Sequence, residues 1–358
     1  MHLPPPLAWL VDDAGAVSGP DRLLAGLGGR LLTDGLPLAG GALTLAVPHP
    51  IVARRTWLWR AGTGAVIEAL GFAGMPPPAD SPPAGRDWLA ALGPVHEDTA
   101  GPAMLGWAGT RPFDAAEAER LRQAARFAAA PLSALASQAG LTALLEAYLG
   151  RRSAARVQAG ALRRGAGETI RAVLLCADLR DFTALSEATE PAEVIATLDA
   201  WFDRIAGAVH AFGGEVLKFM GDGLLAIFPV TGSPGEAGAA RGACEAALRA
   251  VTAARAGMAH LDAARRAQGR PALPFGVALH LGEVLWGNIG AADRLDFTAI
   301  GPAVNLVSRL EGLCRPLGRP VLVSGAVAAE TAVPLVPLGE HALRGIAAPC
   351  AVFTLPDA

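Results

Sequence analysis

Val173-Leu-Leu-Cys-Ala-Asp178-Leu-Arg-Asp-Phe-Thr183 is an apolar run that ends in an acid, and Gly213-Gly-Glu-Val-Leu-Lys218-Phe-Met-Gly-Asp222-Gly-Leu-Leu-Ala-Ile-Phe228 sets a second acid between two apolar runs. The first reads as a buried strand, the second as a hairpin with Asp222 at its tip. Each carboxylate leaves the end of a strand, with small residues beside it that let a ligand approach. Magnesium prefers carboxylate oxygens and keeps positions open for water and substrate phosphates. Two such cations, about 3.5–4 Å apart, can clamp the attacking and leaving oxygens of a phosphoryl displacement. Asp178 and Asp222 are therefore the candidate metal ligands. Asp181, three residues beyond Asp178, reads as a helix start.

Outward from this stretch, strands and helices alternate. Residues 191–212 read as a helix with Val194, Leu198, Trp201, Phe202, Ile205 and Val209 in one apolar stripe. Thr231-Gly-Ser-Pro-Gly235 is a turn, and an Ala-rich helix follows over 236–267. A strand over 275–280 is expected to continue as a hairpin through 283–287, and 320–324 and 351–355 read as further strands. A helix is expected over 302–314. There Asn305 and Arg309 are four apart and share one face, while Val304, Val307 and Leu310 turn to the core. A guanidinium on such a face can hold a pentavalent phosphate, and an amide can hold a ribose oxygen. The predicted class for 169–358 is α+β with a mixed sheet.

Upstream, residues 1–132 form a first domain and 133–168 a helical linker that turns basic at Arg151-Arg152, Arg156 and Arg163-Arg164. Trp57 and Trp59 fall on one face of a strand in Thr56-Trp-Leu-Trp-Arg60, and core packing accounts for them. Strands are also expected over 42–47 and 103–109. Met75-Pro-Pro-Pro-Ala-Asp-Ser-Pro-Pro-Ala84 is a loop on proline content. Asp114-Ala-Ala-Glu117 is a carboxylate cap with a glutamate three residues on, at the head of a helix. Strand, short turn and long helix are how sensory domains of the GAF type end, so the first domain is expected to be an α+β, GAF-like regulatory domain. Nothing in it names an effector, whether small molecule or protein.

Composition narrows the setting. At 358 residues the chain suits two domains, and a hydrophobic fraction of 52% fills large cores. The net charge of -3 gives no global field for nucleic acid. The four cysteines, Cys176, Cys244, Cys314 and Cys350, form no CxxC pair, which argues against a zinc site or a disulfide framework. Met1-His-Leu-Pro-Pro-Pro lacks the features of a signal peptide, and no apolar run reaches the roughly 18 residues of a membrane span. A cytoplasmic protein is expected.

The motifs of 169–358, in their order, resemble the catalytic domain of class III nucleotide cyclases. The matching stretches are the Asp178 strand with Asp-Phe-Thr183, Lys218-Phe-Met-Gly-Asp222, His280-Leu-Gly-Glu-Val-Leu-Trp-Gly-Asn-Ile-Gly290, and Phe297-Thr-Ala-Ile-Gly301 with Asn305 and Arg309. The resemblance implies a ferredoxin-like α+β domain and an adenylate cyclase, with Asp178 and Asp222 holding two Mg²⁺ or Mn²⁺ ions. It implies that Lys218 and Thr298 read the purine, that Asn305 orients the ribose and that Arg309 stabilises the transition state. Lys218 can donate to adenine N1 and Thr298 can accept from N6, whereas guanine calls for a carboxylate where Lys218 stands. ATP is therefore the expected substrate. The family's usual phosphate-binding lysine has no match here, and Arg344 in Leu343-Arg-Gly-Ile-Ala-Ala-Pro349 is its stand-in. Family sites lie between two copies, so a homodimer with shared sites is implied. The competing readings are a catalytically silent nucleotide-binding module and a guanylate cyclase. Gly213-Gly-Glu-Val is similar to a diguanylate cyclase signature, but the residues after it do not fit.

Overall fold

Trp57 and Trp59 alternate with Leu58 on a strand, and both indoles are buried on one face, as the spacing predicts. Trp59 meets Trp107 edge to face at 6.2 Å. The structure is a computed structural model that describes residues 3–46, 52–72, 85–161, 163–231 and 238–356. The proline-rich stretch 75–84, most of the turn at 231–235 and residues 236–237 of the expected helix lie outside the described residues. The chain forms two units, Met1–Tyr148 and Leu149–Ala358.

The first unit contains α1 (Pro5–Asp12), α2 (Pro20–Thr33), β1 (Leu38–Ala46), β2 (Val52–Arg60), β3 (Val66–Phe72), α3 (Arg86–Ala90), β4 (Val95–Ala100), β5 (Ala103–Gly109) and α4 (Ala115–Leu149). Its strands form one antiparallel sheet in the order β3-β2-β1-β5-β4. Leu23, Leu24 and Leu27 of α2 and Leu121, Ala124 and Ala128 of α4 pack with the indoles of Trp57, Trp59 and Trp107. The capping box is formed: the Glu117 N–H donates to Asp114 Oδ1 at 2.8 Å and the Asp114 N–H to Glu117 Oε2 at 3.0 Å. By length and composition α4 is long and apolar enough to cross a membrane, which the sequence reading did not expect. Leu121, Ala124, Ala125, Ala128 and Leu132 of that helix are buried in the core of the unit.

The second unit contains α5 (Arg151–Gln158), β6 (Gly167–Leu179), α6 (Phe182–Ala188), α7 (Pro191–Ala211), β7 (Glu215–Met220), β8 (Gly223–Pro229), α8 (Ala239–Ala267), β9 (Phe275–Gly290), β10 (Leu295–Ile300), α9 (Pro302–Glu311), β11 (Val321–Ser324), α10 (Gly325–Ala328), β12 (Val336–His341) and β13 (Cys350–Thr354). The sheet runs β12-β13-β11-β9-β6-β8-β7, with β10 paired to β9. Only β11 and β9 are parallel among the described pairs, so the sheet is mixed. α7 and α8 cover one face, and α9 covers the other.

One expectation fails. Residues 275–287 do not fold into a hairpin; β9 is a single strand of 16 residues. Gly282 serves packing instead of a turn, since a Cβ there would stand 2.6 Å from the Ala303 Cβ of α9. The hairpin partner of β9 is β10, which carries Thr298.

Candidate active site

β6 is an interior strand of the sheet, and its apolar run buries both faces up to Asp178. Two glycines flank that acid in register, Gly223 on β8 and Gly276 on β9. A Cβ on Gly223 would stand 3.1 Å from Asp178 Oδ2, so the bare backbone gives the carboxylate its clearance. Met220 pairs with Gly223 across a two-residue turn in which Gly221 holds φ 66°, the left-handed setting such hairpins place at their first central position. The turn brings Asp222 to Asp178. The Trp201 indole N–H of α7 donates to the Asp222 carbonyl at 2.9 Å and fixes it there.

The two acids share a hydrogen bond, and the Asp178 carboxyl is pushed up to about 7. Burial is the largest cause; the bond to Asp222, its charge and that of Glu311 add to it, and Arg180 opposes. A dyad of this kind fits a hard divalent cation, which neutralises both oxygens at once. Among the described residues no third His, Cys, Asp or Glu completes a closed cage. Magnesium takes one or two carboxylates and completes its shell with water and phosphate.

Sequence reasoning missed the pair behind the dyad. Arg180 Nη2 and Glu311 Oε1 approach to 3.8 Å with both side chains mostly buried. Gly276 makes room for them, because a Cβ there would collide with both. Burial also pushes the Glu311 carboxyl up, and Arg180 pulls it down. Asp181 lies outside the dyad, with φ 57° just before α6 and an exposed pair with Arg315 at 3.1 Å.

The purine-reading candidates lie on β7 and β10. Residues directly opposite each other on paired strands point to one side. Val216 pairs with Ala226, in the core under α7 and α8, whereas Lys218 pairs with Leu225, in the core under α9. A bulge at Leu217 inserts the extra residue, so Lys218 leaves the strand on the α9 side. Strict alternation would have sent it to the other face. β10 approaches β7. On β10, Phe297 and Ala299 belong to the α9 core, and Thr298 lies between them. Thr298 is 3% exposed, and its hydroxyl has no hydrogen-bond partner among the described residues. A buried hydroxyl without a partner is costly unless something else bonds to it.

Asn305 and Arg309 share the exposed face of α9, as their spacing predicts, while Ala303, Val307 and Leu310 are buried. Among the described residues none pairs with either. Arg344 is exposed in the connection between β12 and β13. The structure thus joins Asp178 to Asp222 and brings the strands of Lys218 and Thr298 together; Asn305, Arg309 and Arg344 stand apart as exposed groups.

Residues 168–345 match the family model of the adenylate and guanylate cyclase catalytic domain. Over 172 residues the chain is 37% identical to "Adenylate cyclase 1" of Rhizobium meliloti (strain 1021), covering 47% of this chain and 25% of that protein. It is 31% identical over 174 residues to "Adenylate cyclase" of Anabaena cylindrica, covering 48% of this chain and 32% of that protein. The chain therefore spans between 25% and 32% of the length of these relatives. A solved bacterial light-regulated adenylyl cyclase has the same fold, with a TM-score of 0.52 at 23% identity over 70% of each chain. Through residues 168–345 the chain belongs to the adenylate and guanylate cyclase catalytic domain family.

Proposed function

We propose that the chain is an adenylate cyclase that converts ATP to 3′,5′-cyclic AMP and pyrophosphate in a head-to-tail homodimer. The observation that carries the choice of ATP is the buried Thr298 hydroxyl, without a partner, on the strand beside that of Lys218. Adenine supplies what is missing: its N6 amine donates to Thr298, and its N1 accepts from Lys218. Guanine would set its N1–H against the ammonium group.

Asp178 and Asp222 would hold Mg²⁺ or Mn²⁺, two ions per site, which would acidify the ribose 3′-hydroxyl and offset phosphate charge. Asn305 orients the ribose, and Arg344 meets the terminal phosphates. The 3′ oxygen bonds to the α-phosphorus as its proton leaves to water, and the bond to pyrophosphate breaks. Arg309 donates to the phosphoryl oxygens as charge builds on them. Asp178 and Asp222 pair with each other, while Asn305 and Arg309 stand exposed on α9. That division supports shared sites: one copy supplies the aspartates, and the other supplies Lys218, Thr298, Asn305 and Arg309. The first unit is the regulatory input, a GAF-like domain that answers to a small molecule or a protein, and the enzyme works in the cytoplasm.

The test gives purified protein ATP or GTP with Mg²⁺ or Mn²⁺ and measures cyclic product. Cyclic AMP is expected. Cyclic GMP as the main product would make it a guanylate cyclase, and no product from either nucleotide would make it a binding module. Mixing inactive Asp178→Ala with inactive Arg309→Ala should restore activity; folded dimers that stay silent at every ratio would defeat the shared site.

A further inference from the structure

Glu215 opens β7, the strand of Lys218, yet it is only 4% exposed. A buried carboxylate needs donors. Glu215 finds them in the first turn of α5. It accepts from the backbone N–H groups of Arg152 at 3.2 Å and Ser153 at 3.1 Å, and from the Ser153 hydroxyl at 2.9 Å. These are the N–H groups a helix start leaves free, and the helix dipole favours an anion there. The Arg152 guanidinium adds a bond to the Gly213 carbonyl at 3.2 Å. Gly150 holds φ 81° before the helix, and a Cβ on it would stand 2.7 Å from Glu215 Oε1. The contact is therefore built from both sides.

The same segment reaches β9. Arg156 of α5 lies over the Trp286 ring at 4.8 Å and pairs with Glu168 at 2.6 Å. The Asn288 amide donates to the Ala161 carbonyl. Trp286 and Asn288 sit on either side of Gly287, the residue paired with Thr298. α5 and the residues after it thus hold β7 just before Lys218 and β9 directly opposite Thr298. β7 needs such a hold: it is an edge strand with a bulge, pinned by β8 on one side only.

We propose that Glu215, clasped by the start of α5, is a positioning residue for purine recognition. Together with Asn288 it sets the spacing between Lys218 and Thr298, and through them the preference for ATP over GTP. The inference rests on the purine-reading roles proposed above. Glu215 itself touches no substrate.

The test compares the full chain with its Glu215→Gln, Ser153→Ala, Lys218→Ala and Glu215→Gln/Lys218→Ala variants. Binding of 3′-deoxy-ATP and 3′-deoxy-GTP, which cannot cyclise, is measured by calorimetry beside turnover of ATP and GTP. Glu215→Gln turns one accepting oxygen into a donor that faces an N–H. It should weaken 3′-deoxy-ATP binding about fivefold with little change for 3′-deoxy-GTP, the scale of losing a helix cap. Ser153→Ala should shift the ratio the same way by less, and it serves alone if the Gln variant does not fold. The double variant should discriminate no worse than Lys218→Ala, because Glu215 acts through Lys218. If the folded variants lose thermal stability but keep the wild-type ATP-to-GTP ratio, Glu215 is merely structural and the proposal falls. A wild-type chain that binds and discriminates without turnover removes the cyclase reading and leaves this one standing; a wild type that does not discriminate removes both.

Discussion

Glu117 in the first unit and Asp178 in the second are both carboxylic acids at the boundary of a major element, and their surroundings drive them in opposite directions. Glu117 is held down at about 2 by hydrogen bonds from the Arg111 guanidinium and the Asp114 backbone. Asp178 is pushed up to about 7 by burial and by the acid beside it. The first acid has every donor it needs from its own chain, and its chemistry ends with the start of a helix. The second has a rival acid where a partner should be. Thr298 repeats the pattern with a buried hydroxyl that nothing in the described chain satisfies.

The largest effect that would test this contrast is on turnover. Arg309→Ala should lower kcat by about 10³-fold, the scale of removing a charge-stabilising arginine from phosphoryl transfer. Steady-state kinetics at saturating ATP reads it directly. Next, Mn²⁺ at about 100 times its dissociation constant should stabilise the second unit by about 2.7 kcal/mol. Calorimetry should show the shift in wild type and none in Asp178→Asn; an equal shift in both would separate the cation from the dyad. Thr298→Val is more discriminating. It should weaken ATP binding about tenfold, on the scale of one hydrogen bond. It should also leave the thermal midpoint unchanged or raise it, because an unpaired buried hydroxyl has been removed. A lower midpoint with unchanged ATP binding would mean that the hydroxyl serves the fold.

The smallest effect belongs to Glu117. Its folded value lies below the ordinary 4.5, so its contribution to stability is complete above that value and is lost as pH falls from about 4.5 towards about 2. In Glu117→Gln the thermal midpoint of the first unit should lose that part of its acid dependence, with no change in how the second unit responds to Mn²⁺.

The acids were legible because each ends or interrupts an apolar run, and Asn305 and Arg309 because helical spacing puts them on one face. The capping box of α4 was legible for the same local reason. Other features were not. Glu215 reads as an ordinary strand residue, and only the fold shows α5 closing over it. Arg180 and Glu311 meet through tertiary structure, with the slot made by Gly276. The sense of Lys218 depends on a bulge at Leu217 that alternation cannot announce. β9 runs unbroken where a hairpin was expected, because Gly282 lies in a close contact with Ala303 of α9 and not in a turn. α2 went unread because its glycines weaken the helical pattern, although Pro20 stands at its first turn.

The order of the larger sheet has a dynamic consequence. β6 is bonded on both edges, to β9 from Gly167 to Leu179 and to β8 from Ala172 to Asp178. Its amides should exchange with solvent only when the whole unit opens. β7 is bonded on one edge, and its amides should exchange through local fraying. Asp178 of β6 therefore rides on a strand held from both edges, and Lys218 on a strand held from one. Motion of that edge strand should then leave Asp178 in place and act on Lys218 and on Asp222, which sits in the turn β7 shares with β8.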